Sequence, residues 1–145
     1  MAVGIRTFYR VAANVAVAAS TVLVTTGLTS PIAINQKQKV RVWMPFTVGA
    51  TGGLKVQIVL PAAFTSIIVS YRVNDTVTPA TILAIAANNN AFANALAVAG
   101  THWLEIEADV VNGANAGNLD IQVACNSAAN AFTCLAGASM EVIKL

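Results

Sequence analysis

The sequence predicts an all-β fold, a sandwich or jelly roll of antiparallel strands. Two observations carry this reading. Apolar and polar residues alternate with a period of two in one segment after another, which puts successive side chains on opposite faces of a strand. The segments are also short and regularly spaced, with Gly, Asn and Asp between them, the residues that tolerate the dihedrals of tight turns.

Along the chain, residues 1 to about 14 read as an arm preceding the first strand. Arg6, Phe8, Tyr9 and Arg10 there put charge and aromatic area side by side, and Arg and Tyr are common interface anchors, so these four are the candidate partner-binding residues. Residues 15–145 then form a single sandwich domain. Its first strand lies within Ala16 to Thr26. In Lys39 to Trp43, Val40 and Val42 share a face. Leu54, Val56, Ile58 and Leu60 share another, as do Ile67, Val69, Tyr71 and Val73. Ala80 to Leu96 is ambiguous: its alanines permit a helix, but Asn88, Asn89 and Asn90 break one, so it reads as a strand or short helix followed by a loop. Leu104, Ile106, Ala108 and Val110 alternate against Trp103, Glu105, Glu107 and Asp109. Leu119, Ile121, Val123 and Cys125 alternate against Asn118, Asp120 and Gln122, and a last strand falls within Leu135 to Leu145. Turns are expected at 49–53, at Asn74 and Asp75, and from Asn112 to Gly117. The predicted core is the apolar phase of these runs: Leu54, Val56, Ile58, Leu104, Ile106, Leu119, Ile121 and Val123.

Composition narrows the function classes. A chain of 145 residues accommodates one domain. It is 57% hydrophobic and only 10% charged, with a mean hydropathy of +0.69, which excludes an intrinsically disordered tail. Eight Lys and Arg against six Asp and Glu, with no basic cluster larger than Lys37, Lys39 and Arg41, argue against nucleic-acid binding. Two uncharged stretches, Val11 to Gln36 and Thr76 to Leu104, are long enough for a membrane span. The first is broken by Asn14, Gly27 and Pro31, the second by Pro79 and the Asn triplet, so neither reads as one. Arg6 and Arg10 before Val11 to Ala19 resemble a secretory signal, but the short apolar core carries Asn14, and cleavage is not expected. The remaining excess of apolar residues is more than so small a domain can bury, which predicts an obligate oligomer or a component of a larger assembly.

Residues capable of chemistry are few. His102 is the only histidine, and alternation places it on the opposite strand face from Glu105, so it is expected to be a satisfied edge or interface histidine rather than a base or a ligand. Glu105, Glu107 and Asp109 form an acidic stripe that could hold Ca²⁺. The preferred reading is solvation, or cross-strand pairing with the equally spaced Lys37, Lys39 and Arg41. Gly49 to Gly53 lacks the Lys-Ser/Thr of a phosphate loop and reads as a hairpin turn, and the sequon Asn74-Asp75-Thr76 reads as a turn. Cys125 and Cys134 flank a presumed loop between the last two strands. They either form a disulfide or remain two reduced, buried thiols. No catalytic residue, metal or cofactor is expected, and the chain does not read as an enzyme.

The C-terminal third carries a resemblance. Glu107 to Gly113 reads E-x-x-V-x-N-G, Ala116 to Asn126 reads A-G-x-L-x-x-Q-x-A-x-N, and Leu135-Ala136-Gly137-Ala138-Ser139 approximates L-A-G-S. Upstream, Leu28 to Pro31, Gln38 to Val42 and Gly52 to Val56 join the pattern. This resembles structural proteins of tailed bacteriophages, departing from the pattern in the extra Ala138 and in Cys125. The resemblance implies an eight-stranded jelly-roll, tumour-necrosis-factor-like sandwich. It implies a homotrimer on the outer surface of the virion that decorates the capsid and cements neighbouring major capsid proteins. The alternative it leaves open is the trimeric receptor- or carbohydrate-binding head of a fibre or spike. It brings no catalytic residues.

Overall fold

The computed structural model describes residues 4–18, 20–49, 53–74, 80–84, 92–95, 99–127 and 130–145. Within them the chain forms strands β1 (Ile5–Arg10), β2 (Val15–Val17), β3 (Val24–Ile32), β4 (Lys37–Val48), β5 (Gly53–Val59) and β6 (Ser66–Asn74). These are followed by β7 (Ala80–Ala84), β8 (Phe92–Ala95), β9 (Gly100–Val111), β10 (Gly117–Cys125), β11 (Phe132–Cys134) and β12 (Ser139–Lys144). The described residues contain no helix. Two antiparallel sheets face each other, as the alternation predicts. The larger runs β1-β12-β4-β9-β6-β7 with the short strands β2 and β11 attached beside β4, and the smaller runs β3-β10-β5-β8.

Alternation builds the core. In β4 the inward residues Val40, Val42, Met44 and Phe46 are buried while Lys39, Arg41 and Trp43 are exposed. Leu104, Ile106 and Val110 of β9 lie on the same inner surface, with Val69, Tyr71 and Val73 of β6 and Met140 and Val142 of β12. The smaller sheet contributes Leu28, Ile32, Leu54, Val56, Ile58, Leu119, Ile121 and Val123 to the same cluster. All eight residues predicted as core are at most 2% exposed.

One end of the sandwich is tied by side chains. Asn112 Nδ2 donates to Ala33 O and to Asn115 O, both at 2.8 Å, and its backbone N–H reaches Gln36 O at 2.9 Å. Thr65 Oγ1 donates to Asn112 O at 3.2 Å, bringing in the loop before β6. Gly113 packs so closely on that loop that a Cβ would lie 1.7 Å from Ala63 O, so no side chain fits. Ala63 itself holds a left-handed φ of 62°. The Asn-Gly pair of the resemblance motif is therefore a clasp between loops.

Two expectations change. The segment expected as an arm contains β1, which pairs with β12 along its whole length, from Ile5 opposite Lys144 to Arg10 opposite Ser139. More strand segments form than the eight expected: β1 and β11 have no counterpart among the expected strands, the stretch 80–96 holds both β7 and β8, and the expected first strand divides into β2 and β3. Cys125 and Cys134 are both free and buried, and the strands carrying them do not pair with each other. Cys125 ends β10 in the smaller sheet, whereas β11 pairs with β4 and β2 in the larger, with Phe132 stacked on Phe46 at 5.2 Å. Of the stretch expected as a strand or short helix, 80–84 and 92–95 are strands. Its remainder, the turn residues 50–52, and Asp75 and Thr76 of the sequon lie outside the described residues.

Candidate interaction face

Most charged side chains of the chain project from the outer face of the larger sheet, because they occupy the polar phase of β4, β9, β12 and β6. The register sets Lys39 opposite Asp109, Arg41 opposite Glu107 and Trp43 opposite Glu105. Lys39 Nζ lies 3.2 Å from Asp109 Oδ1, and Arg41 Nε lies 3.3 Å from Glu107 Oε1. Because Trp43 occupies the position across from Glu105, that carboxylate turns to the other neighbour. Arg72 on β6 reaches it at 3.1 Å. Glu141 on β12 takes Arg6 from β1 at 3.2 Å. The acidic stripe is thus a ladder of cross-strand ion pairs, the preferred reading from sequence. Exposed pairs of this kind contribute about 0–1 kcal/mol each, so the ladder fixes register more than it adds stability.

Next to the ladder stand two exposed tryptophans. Trp103 lies across from Pro45, one diagonal step from Trp43, and the two rings stack with centroids 4.2 Å apart and planes 21° apart. Trp43 remains 47% exposed and Trp103 36%. A stacked pair contributes about 0.5–1.5 kcal/mol beyond the area it buries, which holds both rings in place. On the far side of β12, Phe8 of β1 is 71% exposed. Between Phe8 and Trp43 lies a depression of about 390 Å³, lined also by Arg41, Glu105, Glu107, Ser139 and Glu141.

The four residues expected to bind a partner are divided by strand alternation. Arg6, Phe8 and Arg10 share one phase of β1, whereas Tyr9 turns the other way and its hydroxyl donates to Ser30 Oγ at 3.0 Å. Tyr9 thus tethers β1 to β3. His102 is buried at 2% exposure, with its ring 5.6 Å from Phe46, while Glu105 faces outward. Their separation is as expected, but the histidine is in the core and not at an edge. Burial pushes the Cys134 thiol up to about 11 and the Tyr71 phenol up to about 12, so both are neutral near pH 7 and Cys134 is a poor nucleophile. Among the described residues no group of three or more His, Cys, Asp and Glu side chains is placed to hold a metal ion.

The tryptophan pair and the role of Arg72 are what sequence reasoning missed. The signal was present for the pair: Trp43 shares its strand phase with Lys39 and Arg41, and Trp103 shares its phase with Glu105 and Glu107. A large aromatic on the charged phase of an alternating strand is a side chain placed outside the core. The chain matches no protein-family model, and no curated protein or solved structure is significantly similar to it.

Proposed function

We propose that this chain is a virion structural protein of the jelly-roll, tumour-necrosis-factor-like kind. In this reading it decorates the outer surface of a bacteriophage capsid as a homotrimer and cements neighbouring major capsid proteins. The observation that carries the assembly role is β1. It is an edge strand, paired on one side with β12 and with no strand on its other side among the described residues, and it displays Ile5 at 68% and Phe8 at 71% exposure. Natural sheets shorten, charge or cover their edges, and an edge with large apolar side chains is suited to being covered by a partner. Arg6, between them and paired with Glu141, and Arg10, beyond Phe8, offer polar contacts at the rim.

The strand order supports the jelly-roll part of the reading. With β2, β6, β7 and β11 set aside, β1-β12-β4-β9 faces β3-β10-β5-β8, two four-stranded antiparallel sheets between which the chain crosses at every step except β5 to β8, as in paired Greek keys. The β6 and β7 hairpin then extends the sheet at β9. A cement of this kind acts by mass action: binding only the assembled shell stabilises the shell over its parts.

Immunogold labelling of intact particles with antibody to the purified chain tests the reading. Label is expected over the shell, and label confined to a fibre or tail overturns it. Rebinding to particles that lack the chain is expected to fall when Ile5→Lys or Arg10→Glu is introduced. Sedimentation is expected to give three times the chain mass; a monodisperse monomer at micromolar concentration removes the trimer from the proposal.

A further inference from the structure

We infer that the depression between Phe8 and Trp43 is a binding site for a neutral saccharide. This goes beyond the shell role and describes the chain with its β1 edge uncovered, since a partner seated on that edge also covers Phe8.

Two features define what the depression can accept. The first is aromatic: Phe8 bounds it on one side and Trp43 on the other, while Trp103 covers one face of Trp43 and holds the ring. Such rings offer flat apolar surface for stacking against the C–H face of a sugar ring. The second is electrostatic. The carboxylates of Glu105, Glu107 and Glu141 are each matched by one guanidinium, from Arg72, Arg41 and Arg6 respectively. These three pairs cancel one another around the depression. The wider face carries Arg6, Arg10, Lys37, Lys39, Arg41 and Arg72 against Glu105, Glu107, Asp109 and Glu141, a small basic excess with no cluster that would track a phosphate backbone.

The ion pairs do not exhaust their groups. A carboxylate accepts about four hydrogen bonds and a guanidinium donates five, so each pair keeps donors and acceptors for a ligand. Ser139 adds a hydroxyl that can do both. Donors and acceptors therefore alternate on neighbouring strands about 4.8 Å apart, between two apolar rings. The complement of that pattern is a molecule whose rim is hydroxyls, whose faces are C–H, and whose charge is zero. The volume of about 390 Å³ is in the range of small-ligand sites, about 300–1,000 Å³, and suits a mono- or disaccharide.

The chain contains two tryptophans, both in this pair, so fluorescence excited at the red edge of tryptophan absorption, beyond that of Tyr9 and Tyr71, reports on this place. The purified full chain is titrated with the methyl glycosides of glucose, galactose, mannose and N-acetylglucosamine, and with lactose and maltose. Saturable quenching or a spectral shift is expected with at least one of them. Trp43→Ala is expected to weaken binding at least about tenfold. Glu107→Gln and Arg41→Gln, which alter exposed groups and leave the core untouched, are expected to weaken it while the circular dichroism spectrum is unchanged. No saturable response to any of the six sugars overturns the proposal. A response to heparin alone also overturns it, since that would report a basic surface. A fluorescence change that follows protein concentration and sedimenting mass without sugar overturns it too, by showing that a second copy covers the face. Because binding is read on the isolated chain, failure here is separate from failure of the shell assignment.

Discussion

Ile106 and Glu107 are consecutive residues of β9 with opposite fates, one 1% exposed and the other facing solvent in an ion pair. Ile106→Ala removes a branched side chain from between the sheets and leaves a cavity, so denaturant unfolding is expected to show a loss of about 2–5 kcal/mol. Glu107→Ala breaks one exposed pair and is expected to cost about 0–1 kcal/mol. This contrast was legible in the sequence, because a period of two is a local property and any four consecutive residues display it. Gly113 is the opposite case. Gly113→Ala forces a Cβ onto the Ala63 carbonyl and opens the clasp that Asn112 makes with two loops, so it is expected to destabilise the fold more than Ile106→Ala does, read by the same unfolding curves. Nothing near Gly113 in the sequence announces this, since the carbonyl that blocks the position belongs to a different loop.

Among the strands, β11 decides the state of the cysteines. Its pairing with β4 carries Cys134 into the larger sheet, whereas Cys125 ends β10 in the smaller, and both thiols are free and buried. Native protein is expected to resist alkylation by iodoacetamide at both cysteines and to take up two labels once unfolded. Burial also makes these strands sensitive to alkali. The Cys134 thiol rises from 9.0 to about 11 and the Tyr71 phenol from 10.0 to about 12. Both folded-state values lie above their ordinary ones, so the unfolded chain ionises first. The contribution to stability is complete below pH 9 and is lost as pH rises from about 9 to about 12, by a few kcal/mol in total. Urea midpoints at pH 8 and pH 11 are expected to differ in that direction, with Tyr71→Phe reducing the difference. The first strand was less legible than the others. Ile5 to Arg10 mixes charge and aromatic area without a clean apolar phase, and its partner lies at the other end of the chain, beyond what local periodicity can reveal.

At the scale of the molecule, the excess of apolar residues is only partly an excess of exposed surface. Two sheets enclose most of it; of what stays outside, Trp43, Trp103 and Ile68 lie on the outer face of the larger sheet, Ile5 and Phe8 at its edge, and Val22, Val24, Ile34 and Leu145 are exposed elsewhere. Composition could say that such surface exists, and alternation could say which phase of each strand is wet. Neither could place Phe8 beside Trp43, because that neighbourhood arises from β12 lying between β1 and β4. The same arrangement sets an order of events in the making of the protein. The ribosome releases β1 long before its hydrogen-bonding partner β12. Throughout elongation Ile5 and Phe8 therefore travel on an unsatisfied segment, open to chaperones or to other nascent chains. When β12 emerges it joins β4 on one side and β1 on the other, so one late strand closes the sheet in both directions. Ribosomes stalled just before β12 are expected to carry chains whose first strand remains open to protease, a vulnerability that ends when those few residues emerge.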